Sequence, residues 1–268
     1  MNLIILLIFS ILLLFKSISI IRSITSRSKT LQQAKFKTVL VTGASSGLGR
    51  ELSIHLSKLG FIVHALGRNQ RELDTTMTLM QPNPLHKSIQ CDLNSQKDVE
   101  QIIDEYAIAF LNAGVGFQNT EATYAECALV MNTNVTAPCY LALKLKQAQV
   151  VLIASPQAKY PLPNRSLYAA SKAALEHMGN CLRMDNRSVT ICYPRWFESG
   201  LRKNAIGTNV NKKSQKGANK ASDVALTLIN DTLKGKRNSC LTTKDIIIHY
   251  IWEYFGSFAE KLIKTVLK

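Results

Sequence analysis

The run Val39-Leu40-Val41, followed at once by Thr42-Gly43-Ala44-Ser45-Ser46-Gly47-Leu48-Gly49, constrains the fold of this chain more than any other segment. A short apolar, β-branched run reads as a strand buried on both faces, which is how strands of a parallel sheet are written. Behind the glycines, Leu52, His55, Leu56 and Leu59 fall on one helical stripe that Gly60 ends. Strand, glycine turn and helix in that order is the context a nucleotide site requires. Gly43 permits the tight turn, Gly47 lets the backbone approach a pyrophosphate, and Gly49 lets the helix close on the strand, with phosphate charge at the helix N-terminus. Ser45, Ser46 and Leu48 complete the loop as nucleotide-binding positions.

A second pattern supplies chemistry. Tyr168 and Lys172 stand in Y-A-A-S-K, and Ser155 precedes Tyr168 by thirteen residues, at the end of the apolar strand Val150-Val151-Leu152-Ile153. Residues four apart share a helix face, so the Lys172 ammonium is expected beside the Tyr168 phenol. A fixed cation there favours the phenolate and draws its pKa down toward working pH, where it can exchange protons with a carbonyl or an alcohol.

T-G-x-x-x-G-x-G together with Y-x-x-x-K resembles the short-chain dehydrogenase/reductase family, and the resemblance runs from about Lys37 to Thr243. Further motifs carry it. Cys91-Asp92-Leu93 looks like the family's adenine-contacting Asp after the third strand, and Asn112-Ala113-Gly114 like its N-A-G turn. Asn134, in N-V-T-A, matches the family's catalytic asparagine, while Pro194 to Ser199 sits where the family has P-G-x-V-x-T near the nicotinamide carboxamide. The resemblance implies an α/β fold of Rossmann type, a doubly wound parallel sheet in a single domain. It also implies a mechanism: a ketone carbon receives hydride, Tyr168 protonates the developing alkoxide, and Ser155 donates a hydrogen bond to the same oxygen. Lys172 would also bind the nicotinamide ribose, and Asn134 would hold a water that relays protons.

The departures are informative too. Leu111 replaces the first Asn of N-N-A-G, Ser199 replaces a threonine but keeps the hydroxyl, and Arg195 replaces the glycine after Pro194. Arg195 has three open readings: a stiffened loop, a phosphate partner, or relaxed function. Short connections from Asp92 to Asn112 and from Asn134 to Ser155 suggest a trimmed helix layer.

Cofactor choice is written at the end of the second strand. Phe61 to Leu66 is apolar, Gly67-Arg68-Asn69 follows, and no acidic residue occurs between Phe61 and Arg71. An acidic residue here would bind the ribose 2′-hydroxyl of NAD, whereas an arginine accommodates a 2′-phosphate. Arg68 therefore indicates NADP(H) over NAD(H), although Ser46 lacks the basic side chain some NADP-using relatives carry.

Residues 1–24 read as a transmembrane anchor: Leu3 to Ile21 is long enough to span a bilayer core, and Lys16 can snorkel. Charge before the run and an A-x-A cleavage site, which a signal peptide needs, are lacking. Basic residues follow the run in the linker 25–36, which places the body, residues 37–243, in the cytosol. Residues 244–268 mix aromatics with lysines at a helical period. They suit an amphipathic helix in the headgroup region, a cover over the substrate mouth, or a helix packed on the body or on a second copy in a homodimer.

The net charge of +15 agrees with an anionic membrane partner. Nucleic acid is not expected, since no zinc-finger, helix-turn-helix or RNA-binding motif accompanies the charge. Six scattered cysteines and five histidines make no metal site and no disulfide framework. The polar segment from Ser199 to Lys220 is expected to form a mobile substrate lid. Two functions remain: a membrane-anchored NADPH-dependent reductase acting on a lipophilic ketone or alcohol, and a catalytically weak NADP(H)-binding scaffold or sensor.

Overall fold

The computed structural model describes residues 37–103, 105–195, 197, 205–207 and 219–266. The anchor expected over residues 1–24, the linker 25–36, Ser199 and most of the expected lid lie outside the described residues. Among the described residues, no helix is long and apolar enough to cross a membrane.

Seven strands build one sheet: β1 (Thr38–Thr42), β2 (Ile62–Gly67), β3 (Lys87–Gln90), β4 (Ile108–Leu111), β5 (Gln149–Ile153), β6 (Val189–Cys192) and β7 (Asn238–Ser239). Their order is β3-β2-β1-β4-β5-β6-β7, and every neighbouring pair is parallel. Val39 at the centre pairs with Val63 on one side and Ile108 on the other. Parallel neighbours need crossover connections, and helices supply most of them. These are α1 (Gly47–Lys58), α2 (Gln70–Leu79), α3 (Gln96–Glu100), α4 (Tyr124–Met131), α5 (Ala137–Lys144), α6 (Ser166–Met184) and α7 (Ala221–Leu233). A π-helical turn at Asn132–Thr136 joins α4 to α5.

Helices cover both faces, which explains the continuous apolar runs. Val39 and Val41 pack with Leu52, Leu56 and Leu228 on one face, while Leu40 packs with Leu141, Leu175 and Ile191 on the other. The helix layer is thin where the spacing is short, since α3 has only five residues. Leu111, in place of the family's asparagine, is buried in the second of these layers, so the replacement joins the core.

Between β1 and β4 the strand order reverses, and the connections leave in opposite directions. A crevice opens there at the carboxyl ends of the strands. Its two banks touch backbone to backbone. Gly43 has φ +69°, and a Cβ on it would lie 2.9 Å from Ala113 Cα; one on Gly49 would lie 2.2 Å from the Gly43 carbonyl oxygen. Asn112 ties the banks by donating from Nδ2 to the Thr42 carbonyl at 2.9 Å, and Thr42 Oγ1 accepts from the Asn112 and Ala113 amides.

The last strand is short, Asn238–Ser239. Cys240 turns to φ +61°, which ends the extended run. Thr242 then caps helix α8 (Thr243–Tyr254) in a reciprocal capping box with Asp245, and α9 (Gly256–Val266) follows the turn at Phe255. The extension is therefore two helices.

Candidate active site

A cavity of about 1140 Å³ occupies the crevice. Gly43, Ser45, Ser46, Gly47 and Leu48 line it from the glycine loop, and Arg68 and Asp92 from the ends of β2 and β3. Asn112, Ala113, Gly114 and Pro194 face it from the loops after β4 and β6, and Ser155, Tyr168 and Lys172 close its inner end. Two expected residues stand behind the surface. Gly49 packs against Gly43, and Asn134 is wholly buried.

Helix α6 carries Tyr168 and Lys172 one turn apart, 7% and 3% exposed. Ser155 ends β5 and starts a short 3₁₀ turn; its hydroxyl accepts the Gln157 amide at 3.2 Å and hydrogen-bonds the Tyr168 phenol. Lys172 Nζ donates to the Ile153 carbonyl at 2.8 Å and lies 5.7 Å from the Tyr168 ring centroid. The strand that ends in Ser155 thus also anchors the lysine.

The electrostatics differ from the sequence expectation. Burial pushes the Tyr168 phenol up from its ordinary 10, and the Ser155 hydrogen bond and the Arg165 charge only partly counter it. Burial also pulls Lys172 down to about 8. The reason is the dry pocket, which disfavours charge on either group. Lys172 reaches the ring and the Ile153 carbonyl, and the net shift of the phenol is upward, opposite to the direction expected from the lysine.

Asn134 sits in the π-helical turn, which rotates its side chain out of the α-helical register and toward the loop after β4. Its Oδ1 accepts the Val115 amide at 2.7 Å, and its Nδ2 donates to the Val115 carbonyl and to Ser171 Oγ, both at 3.0 Å. The side chain therefore braces that loop against α6.

The other end of the cavity fits a dinucleotide. Ser46 occupies the N-cap of α1 without capping it, and the first turn holds no acidic residue. Its amide donors and the positive end of the helix dipole are left to face an anion. Asp92 is held in place through its neighbours: its Oδ1 accepts the Asn94 amide at 3.0 Å, and its own amide donates to Asp98 at 2.9 Å. That amide, and then Ser95, hold the Asp98 carboxyl below its ordinary pKa. Arg68 is exposed on the cavity rim.

Several contributors escaped the sequence reading. Arg50 donates to the Ser45 carbonyl, to Thr76 Oγ1 at 3.0 Å and to Glu72 Oε2 at 2.6 Å, pinning the glycine loop to α2. Arg165 donates to Gln118 Oε1 at 2.9 Å beside Tyr168. Ile248 and Ile251 of α8 and Ala259 of α9 form an apolar wall of the cavity. No motif marks these residues, because distant segments bring them together. Among the described residues, no cluster of His, Cys, Asp or Glu could hold a metal ion.

The short chain dehydrogenase family model matches residues 37–206, more than half of the chain. The chain belongs to the short-chain dehydrogenase family. This is an oxidoreductase family that works at carbonyl and hydroxyl groups with a nicotinamide cofactor. The chain is 27% identical over 223 residues to dehydrogenase/reductase SDR family member 7B of Xenopus laevis, covering 71% of this chain and 69% of that one. It is 27% identical over 207 residues to 11-beta-hydroxysteroid dehydrogenase-like 4A of Arabidopsis thaliana, covering 69% and 68%. A short-chain dehydrogenase from Sphingobium yanoikuyae in complex with NADPH has the same fold, with TM-score 0.70 at 19% identity over 85% of this chain and 94% of that one.

Proposed function

We propose that this short-chain dehydrogenase is an NADPH-dependent reductase of a lipophilic ketone, held at a membrane with its catalytic domain in the cytosol. The observation that carries the reaction is the buried Tyr168 phenol, hydrogen-bonded to Ser155 at the inner end of the cavity. The glycine loop, Gly43 to Leu48, would hold a nicotinamide cofactor, which would supply the hydride when bound. Tyr168, kept protonated by burial, gives its proton to the substrate oxygen, and the Ser155 hydroxyl donates a hydrogen bond to that oxygen. Lys172 fixes α6 to the end of β5 and offers its ammonium to the cofactor ribose. Asn134 keeps the loop after β4 in place.

Lipophilic substrates are favoured by the apolar wall of Ile248, Ile251 and Ala259 and by the likeness to a protein named for hydroxysteroid dehydrogenases. The test is oxidation of NADPH by purified protein with a steroid ketone, a keto-sphingoid, a retinoid and a long-chain 3-ketoacyl thioester. Turnover of none of them, with measurable NADPH binding, sinks the reductase and leaves the scaffold.

Solved relatives of the fold carry NADPH in one case and NAD in another, so the fold alone does not choose. Arg68 supports NADPH, and its exposed guanidinium is free to meet a 2′-phosphate. Replacing Arg68 with Ala is expected to lower the preference for NADPH over NADH, measured as a ratio of kcat/KM, by about 10- to 100-fold, the worth of a charge-assisted hydrogen bond. An unchanged ratio would place the 2′-phosphate elsewhere. Membrane attachment rests on the apolar run in residues 1–24. A form lacking those residues is expected to move from the membrane fraction to the soluble fraction; if it stays wholly on membranes, attachment lies elsewhere in the chain.

A further inference from the structure

Arg195 stands where relatives carry glycine, and the structure gives it a partner. Its Nη1 donates to Thr242 Oγ1 at 3.1 Å and lies 3.3 Å from Asp245 Oδ1. The Asp245 side chain is wholly enclosed, whereas Arg195 is about one-third exposed. Tyr160, five residues beyond Ser155, donates its phenolic hydrogen to the same Asp245 oxygen at 3.0 Å. The other oxygen accepts from the Thr242 amide and hydroxyl. One carboxylate thus gathers the loop after β6, the loop after the catalytic strand and the first turn of α8.

A second tie lies one turn along α8, where His249 Nδ1 meets the Lys159 carbonyl oxygen at 2.8 Å. Lys159 in turn pairs with Glu176 on α6, the helix that carries Tyr168. The face of α8 fastened in this way also presents Ile248 and Ile251 to the cavity. Its opposite side, including Ile247, Tyr250 and Tyr254, is exposed among the described residues. The position of the apolar wall therefore depends on a few polar ties, and the carboxylate of Asp245 is the most connected of them. Burial, followed by that carboxylate, pushes the Tyr160 phenol up to about 12, so Tyr160 stays a donor to Asp245 over the working pH range.

We propose that Arg195 is a positioning residue: with Asp245 and Tyr160 it forms a latch that holds α8 as the substrate-side wall of the cavity, and so sets which substrates bind. The proposal rests on the reading of the cavity as a ketone-reducing site. A neutral side chain at position 195 would take the guanidinium away from the enclosed carboxylate, and the first turn of α8 would loosen. Substrate binding would weaken, while the proton donor on α6 would stay in place.

The test uses Arg195→Leu, the milder Asp245→Asn, their combination, and Arg195→Lys, in the full chain with NADPH present. Hydrogen exchange is read over the amides of residues 246–254 and of α6. Each single change is expected to speed exchange in α8 by about tenfold or more and to leave α6 unchanged, since local opening follows the loss of a few ties. The combination is expected to add little to Asp245→Asn alone, because that change already weakens the Arg195 contact along with a bond to Thr242 or Tyr160, and Arg195→Lys should return exchange to within about threefold of the parent. With a ketone that the parent reduces, KM should rise about tenfold while kcat changes by less than about threefold, the pattern of lost uniform binding.

Unchanged exchange in α8 in either single variant would overturn the latch, as would effects that multiply in the combination. A fall in kcat at constant KM would instead assign Arg195 to the cofactor loop. If the parent turns over no ketone, the reductase reading fails, and the exchange measurements still decide the latch.

Discussion

Tyr168→Phe is expected to lower kcat for ketone reduction by about 10²- to 10⁴-fold, the usual worth of a positioned general acid. The substitution removes one oxygen from a residue that is 7% exposed and leaves its ring packed against Phe117 and Val130. The fold and NADPH binding should therefore survive, which a thermal melt and a titration of NADPH fluorescence can check. Its pH profile adds a second observable. Because burial raises the phenol above its ordinary pKa, the parent should hold its proton, and its competence for reduction, through neutral and mildly alkaline pH. Loss of the proton comes only above the ordinary tyrosine range. A parent enzyme whose kcat already fell with a phenol-like transition near neutrality would contradict the dry pocket described above. Residual activity in Tyr168→Phe close to that of the parent would remove Tyr168 from the role of acid.

Lys172→Met is expected to separate activity from stability. Activity should fall by about 10²-fold or more, since the ammonium that orders the catalytic end is gone. Stability should move differently, and with pH. In the folded chain Lys172 titrates at about 8, below its ordinary 10.5. Between those two values the unfolded chain binds more protons than the folded one, so this group makes the parent more stable as pH rises through that window. Below about pH 8 both states carry the proton, and the buried charge costs the fold a constant amount. At about 1.4 kcal/mol per pH unit, the parent should gain about 3 kcal/mol relative to Lys172→Met between pH 7 and 10.5. Denaturant unfolding of both proteins across that range measures the difference. Curves that run parallel would show that burial does not depress Lys172. At pH 7 the methionine removes the cost of the buried charge but leaves the Ile153 carbonyl without its donor, worth about 1–3 kcal/mol, so the two nearly offset there.

Much of the site was legible because its residues lie where local rules act. Gly43 and Gly47 answer a turn that takes them to φ +69° and +54°, and a Cβ on Gly49 would lie 2.2 Å from the Gly43 carbonyl oxygen. The four-residue step from Tyr168 to Lys172 is a property of any helix, and Val150 to Ile153 read as a buried strand because both faces of the sheet are covered. Arg68, picked out by its place after β2, lies on the rim of the cavity. Leu111, a departure on paper, proved to be a core residue.

What the sequence by itself determined is the parallel sheet, the glycine turn between β1 and α1, and the places of Ser155, Tyr168 and Lys172 at the end of β5 and on one helix, since each follows from short-range spacing and from which faces are apolar. Tertiary structure alone decided their charges, because pKa depends on how much water burial removes and not on the order of residues, and here burial reversed the expected shift of Tyr168. It alone showed that Asn134 braces Val115, a consequence of the π-helical turn. It alone gave Arg195 a partner, because the carboxylate that meets it lies fifty residues further along the chain and is brought near only by the tertiary fold.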